Sequence, residues 1–452
     1  METDVQSIIP LIAEAISSKD KSRLLHVLDE LQPYDRAEIY KTLPGKFRLP
    51  FILLLPLPDV AIIVQELEHD YQEEIVSVLG MEKATRMMTY MENDDLADLL
   101  AGFSNDRTQG FLTSMTRADS ESVQSLMQYE PDTAGGIMTN RYVWIKDHYD
   151  VREAVDKVKS FANYAENIYY LYVLDDNKQL VGVVSYRDLV LADERDQIAD
   201  IMYRRVISVP IEMDQEEVAR TMERYDFIAL PVVDEHSRLA GIVTVDDILD
   251  VVIEEANEDI GKLSATGAGI DFQTSAVTAS AKRLPWLMLL LFLGLLSGSI
   301  MAGFQHTLEQ VVVLTFFMPM IAGMTGNTGT QSLAIVVRGL VMNDVDRRTL
   351  LRLITREFTV GLIIGTVCGL AVAAISYLWQ GSGYLGLVVG LSLFLTLLIG
   401  TMTGTLIPLM LHRLRIDPAV ASGPLITTIN DLFSLSVYFG LATLFLNKLS
   451  QL

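Results

Sequence analysis

Beyond residue 283 the chain is written in uncharged apolar runs, each near or above the roughly 20 residues that a helix needs to cross a bilayer. The first has its apolar heart at 284–304, and 310–337 is the second. Residues 358–411 form 54 positions without a charge, too many for one crossing. That run divides at Trp379-Gln-Gly-Ser-Gly-Tyr384, where aromatic residues suit a membrane interface. The last run, 418–447, is broken by a single charge, Asp431. The pattern predicts five transmembrane helices, at about 284–304, 311–337, 358–379, 384–411 and 419–446.

Upstream the periodicity changes. Residues 1–130 repeat apolar positions at helical spacing, as in Leu24, Leu25, Leu28 and Leu31, and show no strand pattern. Pro, Gly and Asp punctuate them, which predicts an all-α array of short helical hairpins, with a capping box at Asp35-Arg-Ala-Glu38. Residues 138–255 contain an internal repeat. Asp175, Gly182, Ser185 and Asp188 recur 59 positions later as Asp234, Gly241, Thr244 and Asp247. Upstream, Met138 and Asp150 recur at an offset of 64 as Met202 and Asp214, so the first copy carries five extra residues near 162–167. Each copy reads strand, helix, strand, turn, strand, helix, and its Ser/Thr-x-x-Asp opens the last helix as a cap.

Charge separates along the same boundary. The chain carries 35 Lys+Arg and 58 Asp+Glu, a net charge of −23. From Lys282 onward there are 10 basic and 6 acidic residues, so the first 281 residues hold −27 and the remainder +4. An acidic soluble part is therefore joined to a membrane part. Its charge argues against nucleic acid as a partner. The single Cys368 excludes a disulfide framework and a thiolate metal site. The N-terminus shows no basic segment leading into an apolar core, so no cleaved signal peptide is expected. The loops before span one, between spans two and three, and between spans four and five hold the basic residues. By the positive-inside rule this predicts a cytoplasmic N-terminus and an external C-terminus. Six scattered His and no phosphate-cradling Gly-Lys loop argue against an enzyme.

Two places inside the membrane part carry chemistry. Asp431 lies in the middle of span five, where a carboxylate is costly and marks a functional site by default. Three roles stand open for it: a hydrogen-bonded tie between helices, a proton relay, and a cation site. Thr427 and Gly423 lie one and two turns earlier on its face, and Pro424 lacks an N–H, so that carbonyls are left for a ligand. Carboxylate, hydroxyl and carbonyl are hard oxygen ligands suited to Mg²⁺ or Ca²⁺. In span two, Pro319 to Gln331 gathers Gly, Thr, Asn and Gln, which predicts irregular or tightly packed backbone lining a cavity. Gly361, Gly365 and Gly369, and then Gly400 and Gly404, repeat at four-residue spacing, as close helix packing requires. In the soluble part, Asp247, Asp250, Glu254 and Glu258 share one helical face. That is either a solvated acidic surface or, bridged by a divalent cation to Asp94, Asp95 or Asp98, a link between domain packing and the membrane helices.

The repeat resembles a tandem pair of cystathionine-β-synthase-type (CBS) modules. That resemblance implies an adenine nucleotide, ATP, held by Tyr170, Ser185, Arg187 and Asp188, with Thr244 and Asp247 at the equivalent places of the second copy. The whole chain resembles the MgtE family of magnesium channels. The specific stretches are Gly323-Met-Thr-Gly-Asn-Thr-Gly-Thr-Gln-Ser332, Tyr129-Glu-Pro-Asp-Thr-Ala-Gly-Gly-Ile-Met-Thr139 and Thr244-Val-Asp-Asp-Ile-Leu-Asp250. The family usually carries Gly-Gly-Asn where this chain has Thr325-Gly-Asn327. The resemblance implies a homodimer in the cell membrane that admits Mg²⁺ through an axial pore and closes when cytoplasmic Mg²⁺ binds between its soluble domains. It implies Asp431 as the pore acid, with Gly423, Thr427 and Asn327 lining the path. It implies sensor acids at Asp247, Asp250, Glu254, Glu255, Glu258 and Asp259, partners at Asp95, Asp98 and Asp417, and further members at Glu216 and Asp226. The domains expected are an acidic helical N-domain (1–130), two CBS modules (131–200 and 201–255), a connecting helix (256–281) and a five-span bundle (282–452). The alternative is a proton-coupled divalent cation transporter regulated by a nucleotide at the CBS pair.

Overall fold

The computed structural model describes residues 5–161, 165, 167–266, 270, 274–342 and 347–450. It divides into two compact units, Met1–Val252 and Ile253–Leu452.

The first unit opens with helices α1 (Val5–Ser18), α2 (Lys21–Asp29), α3 (Pro33–Thr42), α4 (Gly45–Leu54) and α5 (Leu57–Gln65). α6 (His69–Met88), α7 (Asn93–Ala101), α8 (Asn105–Ser114) and α9 (Arg117–Leu126) follow. Each is short because a cap or a proline punctuates it. Asp20 caps α2 by accepting from the Arg23 N–H, and Thr116 caps α9 by accepting from the Asp119 N–H. The expected capping box at Asp35 and Glu38 does not form. α3 starts at Pro33, whose missing N–H costs nothing in a first turn, so Asp35 falls inside the helix and Glu38 pairs with Lys41 at 3.2 Å. Ile12, Leu24, Tyr40, Phe51, Val76, Leu100 and Phe111 are among the residues that close the core.

The repeat then builds two small sheets. β1 (Tyr142–Lys146), α10 (Val151–Phe161), β2 (Asn167–Leu174), β3 (Leu180–Ser185), α11 (Tyr186–Leu191) and α12 (Ile198–Ile201) come first. β4 (Val209–Pro210), α13 (Gln215–Tyr225), β5 (Ala229–Val233), β6 (Leu239–Thr244) and α14 (Val245–Leu263) repeat them. In each sheet the first pair is parallel and the second antiparallel. The registers superpose: Tyr170 faces Ser185 as Ala229 faces Thr244, and Val173 faces Gly182 as Val232 faces Gly241. The segments that lead into the modules are exchanged, since Tyr203 bridges Val183 and Thr139 bridges Ile242. That exchange requires the two repeated glycines. A Cβ at Gly182 would lie 2.5 Å from the Met202 sulfur, and one at Gly241 2.6 Å from the Met138 sulfur. Most of the extra segment near 162–167 lies outside the described residues.

The connecting helix differs from expectation. α14 is continuous with the end of the second module and stops at Leu263; of the expected range 256–281, residues 267–269 and 271–273 lie outside the described residues. Its end is a Schellman motif: Ala265 takes φ +54°, its N–H bonds the Lys262 carbonyl at 3.1 Å, and the Thr266 N–H bonds the Gly261 carbonyl at 3.0 Å.

The second unit contains α15 (Ala276–Gly303), α16 (Gln305–Gln310), α17 (Leu314–Met342), α18 (Arg347–Gln380) and α19 (Gly383–Arg413). A 3₁₀ turn (Pro418–Val420), α20 (Gly423–Leu444) and α21 (Leu446–Leu449) complete it. Four of these helices, α15, α18, α19 and α20, are long and apolar enough to cross a membrane. The expected second span, α17, has 29 residues, but the polar stretch from Thr325 to Ser332 dilutes its apolar character. Expected and observed bounds also differ because charge marks the bilayer edge and not the helix end: α18 begins at Arg347, not at 358, and carries four arginines before its apolar run. α19 is the most enclosed of these helices, packed against α17, α18 and α20. Glycines let backbones meet there. A Cβ at Gly369 would lie 2.7 Å from the Gly390 oxygen, and one at Gly404 2.1 Å from the Gly329 oxygen.

Candidate functional site

Two helix starts in the first unit bring carboxylates together. α7 carries Asp94 and Asp95 in its first turn, where the positive helix end favours acids, and α14 carries Asp246 and Asp247 in its own. Asp94 Oδ1 is buried without a hydrogen-bond partner among the described residues. Burial pushes the Asp94 carboxyl well above the ordinary carboxylate range, and the charges of Asp247, Asp95 and Glu92 push it further. Burial likewise raises Asp247, to about 7; the Thr244 hydroxyl, which donates to its Oδ2, pulls it back, while Asp246 and Asp95 add to the rise. Asp95 is raised by burial, restrained by Gln65 Nε2, which donates to it at 2.6 Å, and raised again by Asp246 and Asp250. Glu92 and Glu66 shift upward too, by desolvation first and the Asp95 charge next. Arg141 offsets Glu92 and Asp95 only in part.

The sequence-predicted Asp95, Asp247 and Asp250 thus belong to one electrostatic cluster. Asp98 is exposed on the next turn of α7. Glu216 pairs with Arg220 at 2.6 Å on α13, and Asp226 is the exposed left-handed C-cap of that helix, with φ +53°. Sequence reasoning missed Glu66 and Glu92; Glu66 follows α5, nearly 30 residues before the acidic run, and no local pattern joins them. Among the described residues no three His, Cys, Asp or Glu side chains are arranged to hold a bare ion. The donors nevertheless fit a hydrated dication. Mg²⁺ keeps several of its waters, and spread carboxylates with an unsatisfied buried oxygen accept hydrogen bonds from such a shell.

A cavity of about 250 Å³ lies between the two sheets of the repeat. Tyr170 and Ser185 line it as expected, together with Tyr172, Tyr203, Arg205 and Phe227. The Tyr172 hydroxyl is buried and has no hydrogen-bond partner among the described residues. Arg187 is exposed and Asp188 is engaged in the helix cap, where the Ser185 hydroxyl donates to it at 2.6 Å; neither lines the cavity. Arg205, which the sequence motif does not include, is the cation at the wall.

In the second unit, Asp431 lies in mid-helix on α20, half-buried, and no hydrogen bond to its carboxylate forms among the described residues. Thr427, one turn earlier, donates its hydroxyl to the Gly423 carbonyl at 2.9 Å. Pro424 sits in the first turn, where its missing N–H opens no gap in the ladder, so it frees no carbonyl for a ligand as the sequence suggested. The Gly-rich stretch of α17 is a regular helix, tightly packed and not irregular. Gly326 admits Thr427, whose Cγ2 would lie 2.7 Å from a Cβ there. Asn327 is exposed on α17. Glu254 is exposed and Glu255, Glu258 and Asp259 are half-buried on the last turns of α14. Lys262, missed in the sequence, ties two predicted acids together: its Nζ lies 2.8 Å from Glu258 and 2.7 Å from Asp417. Glu357 on α18, also unforeseen, is fully buried and accepts from Ser332 at 3.0 Å and from Arg356 at 2.8 Å.

The comparisons with known proteins match the chain domain by domain. The divalent cation transporter domain of MgtE matches residues 318–441, the MgtE intracellular N domain matches 31–132, and CBS domains match 134–195 and 198–254. The chain is 55% identical over 423 residues to the magnesium transporter MgtE of Bacillus subtilis, covering 94% of each. It is 38% identical over 443 residues to that of Thermus thermophilus, covering 96% of this chain and 98% of the relative. Two solved structures resemble its soluble part. The soluble part of a magnesium transporter is 34% identical with a TM-score of 0.53, covering 56% of this chain and all of that one. The cytosolic domain of the Mg²⁺ channel MgtE in complex with ATP is 38% identical with a TM-score of 0.52, covering 54% of this chain and 99% of that one. A helical N-domain, a paired-sheet repeat and a membrane bundle, matched along nearly the whole length, establish that the chain belongs to the MgtE family, whose members are membrane transporters and not enzymes.

Proposed function

We propose that this chain is a Mg²⁺ channel of the cell membrane, homodimeric, with its N-terminus in the cytoplasm and its C-terminus outside, closed by cytoplasmic Mg²⁺. The observation that carries this reading is the crowd of carboxylates around the unpartnered Asp94 oxygen. Two carboxylates about 5 Å apart repel by roughly 1–3 kcal/mol at effective dielectrics from that of water down to about 20. Without a dication the N-domain and the CBS pair are pushed apart; a hydrated dication reverses the sign and draws them together. The ligand shifts gating only by its differential affinity for the closed arrangement. We assign Glu254, Glu255, Glu258, Asp259 and Asp417, together with Glu216, Asp226 and Asp98, as further acids of the same sensor. Uptake needs no coupled ion, since a dication gains about 4.6 kcal/mol per 100 mV of inside-negative potential.

The raised carboxyls give this reading a pH signature. The folded unit holds protons that the unfolded chain has released, so without divalent ions its stability falls as pH rises from 3.8, the ordinary Asp value, to about 7, where Asp247 titrates when folded. Above that the Asp247 share of the penalty is complete, and low-millimolar Mg²⁺ is expected to remove it. Limited proteolysis of residues 90–275 in chelator is therefore expected to accelerate between pH 5 and pH 8, and Mg²⁺ to abolish the difference. Equal cleavage rates with and without Mg²⁺ at pH 8 would show the acids to be solvated surface alone.

ATP is the proposed ligand of the cavity between the sheets. Tyr170 offers a stacking face and Arg205 a charge for phosphate, and the buried Tyr172 hydroxyl offers an otherwise unused hydrogen bond. Asp188 keeps Ser185 oriented, and Arg187 stands outside the wall. Tyr170→Ala is expected to weaken ATP binding about tenfold or more, the weight of one stacked base. Titration calorimetry on the full-length protein checks this, and unchanged affinity would remove the nucleotide from this cavity.

A further inference from the structure

The contact between α17 and α20 holds a polar group that transport, as described above, leaves unused. Asn430 is fully buried one residue before Asp431. Its Nδ2 donates across to the Thr325 carbonyl oxygen at 3.4 Å, while its Oδ1 is buried with no hydrogen-bond partner among the described residues. The amide has one workable orientation, because turning it over would set Oδ1 against the Thr325 oxygen, acceptor against acceptor. Gly329 makes room for it: a Cβ there would lie 2.1 Å from Nδ2 and 3.0 Å from the Ile426 side chain. The Thr325 oxygen also lies close to α19, where a Cβ at Gly400 would come within 2.8 Å of it.

One long hydrogen bond and one orphaned acceptor are a poor means of holding two helices together. An apolar side chain of the same size would pack there without leaving an acceptor unsatisfied. What the amide supplies is direction. Successive residues project about 100° apart around a helix, so a side chain fixed toward Thr325 fixes where its neighbour points. Asp431 makes no hydrogen bond of its own among the described residues that would set its direction otherwise. We propose that Asn430 is a positioning residue for Asp431: its amide, anchored on the Thr325 carbonyl and admitted by Gly329, sets the rotation of α20 and so aims the carboxylate at the ion path. This rests on Asp431 being the pore acid.

The test uses full-length protein in liposomes, with Mg²⁺ and Ca²⁺ influx measured on the wild type, Asp431→Ala, Asn430→Leu, Gly329→Ala and the pair Gly329→Ala with Asn430→Ser. Leucine keeps the volume of the amide and removes the donor. Asn430→Leu is expected to unfold at the wild-type temperature or above it, while its preference for Mg²⁺ over Ca²⁺ falls about tenfold, the weight of one directional hydrogen bond. Gly329→Ala, which drives a methyl into the amide, is expected to lose influx, and Asn430→Ser in the same chain to restore it with the lowered preference. Wild-type preference in Asn430→Leu, beside a dead Asp431→Ala, overturns the positioning role and leaves the pore acid intact. Normal influx in Asp431→Ala overturns the pore acid, and the positioning role with it. Should Asn430→Leu fail to accumulate, the Gly329 pair decides: wild-type influx in Gly329→Ala, or no recovery in the double variant, overturns the proposal.

Discussion

Asp431→Ala is expected to abolish Mg²⁺ influx while leaving the protein folded and inserted. A carboxylate and a dication about 5 Å apart attract by roughly 2–7 kcal/mol at effective dielectrics from that of water down to about 20. In the proposed dimer two such acids act at one depth, so influx in the alanine variant should fall to about one-hundredth of wild type or below. Asp431→Asn keeps the shape and loses the charge, and it should lose most of the flux as well. The fold has little stake in this side chain, which is half-buried and forms no hydrogen bond among the described residues. Wild-type Mg²⁺ influx into proteoliposomes containing the alanine variant would withdraw Asp431 from the ion path. If instead influx persists at zero membrane potential but collapses without a proton gradient, the proton-coupled transporter becomes the better reading.

The second large effect is expected at the carboxylate cluster of α7 and α14. Asp94→Asn together with Asp247→Asn should leave the channel conducting at Mg²⁺ concentrations that close the wild type. The two changes remove the deepest charges of the cluster, and with them both the repulsion of the empty state and the attraction for a dication. Closure then loses its differential affinity for Mg²⁺. Single-channel recording with Mg²⁺ varied on the cytoplasmic side measures this directly. The sign is informative: a wholly structural role for these acids would let the neutral variant close as before, because removing mutual repulsion stabilises the packed arrangement. Normal closure in the double variant would place the sensor elsewhere.

Much of this protein is legible in the order of its residues. Charge partition fixes where the soluble and membrane parts divide, because a bilayer excludes unpaired charge whatever the tertiary fold. The repeat of Gly182 and Gly241, with Ser185 and Thr244, determines the paired sheets, since strand register and helix caps are local chemistry. Asp431 stands out because a mid-membrane carboxylate needs a reason. Tertiary structure alone decided the rest. Glu66 joins Asp95 from nearly 30 positions away, and Lys262 reaches Asp417 across more than 150, and no periodicity encodes such partners. Asn430 reads in sequence as one more polar residue beside a notable acid. Only the approach of α17, permitted by the absence of a side chain at Gly329, shows that its amide is buried against a backbone carbonyl. Helix ends also escaped the sequence: α14 stops where the Gly261 and Lys262 carbonyls find new partners, and α18 starts among arginines, before its hydrophobic run begins. Sequence determined which faces are apolar, capped or charged; long-range packing decided which of those faces meet.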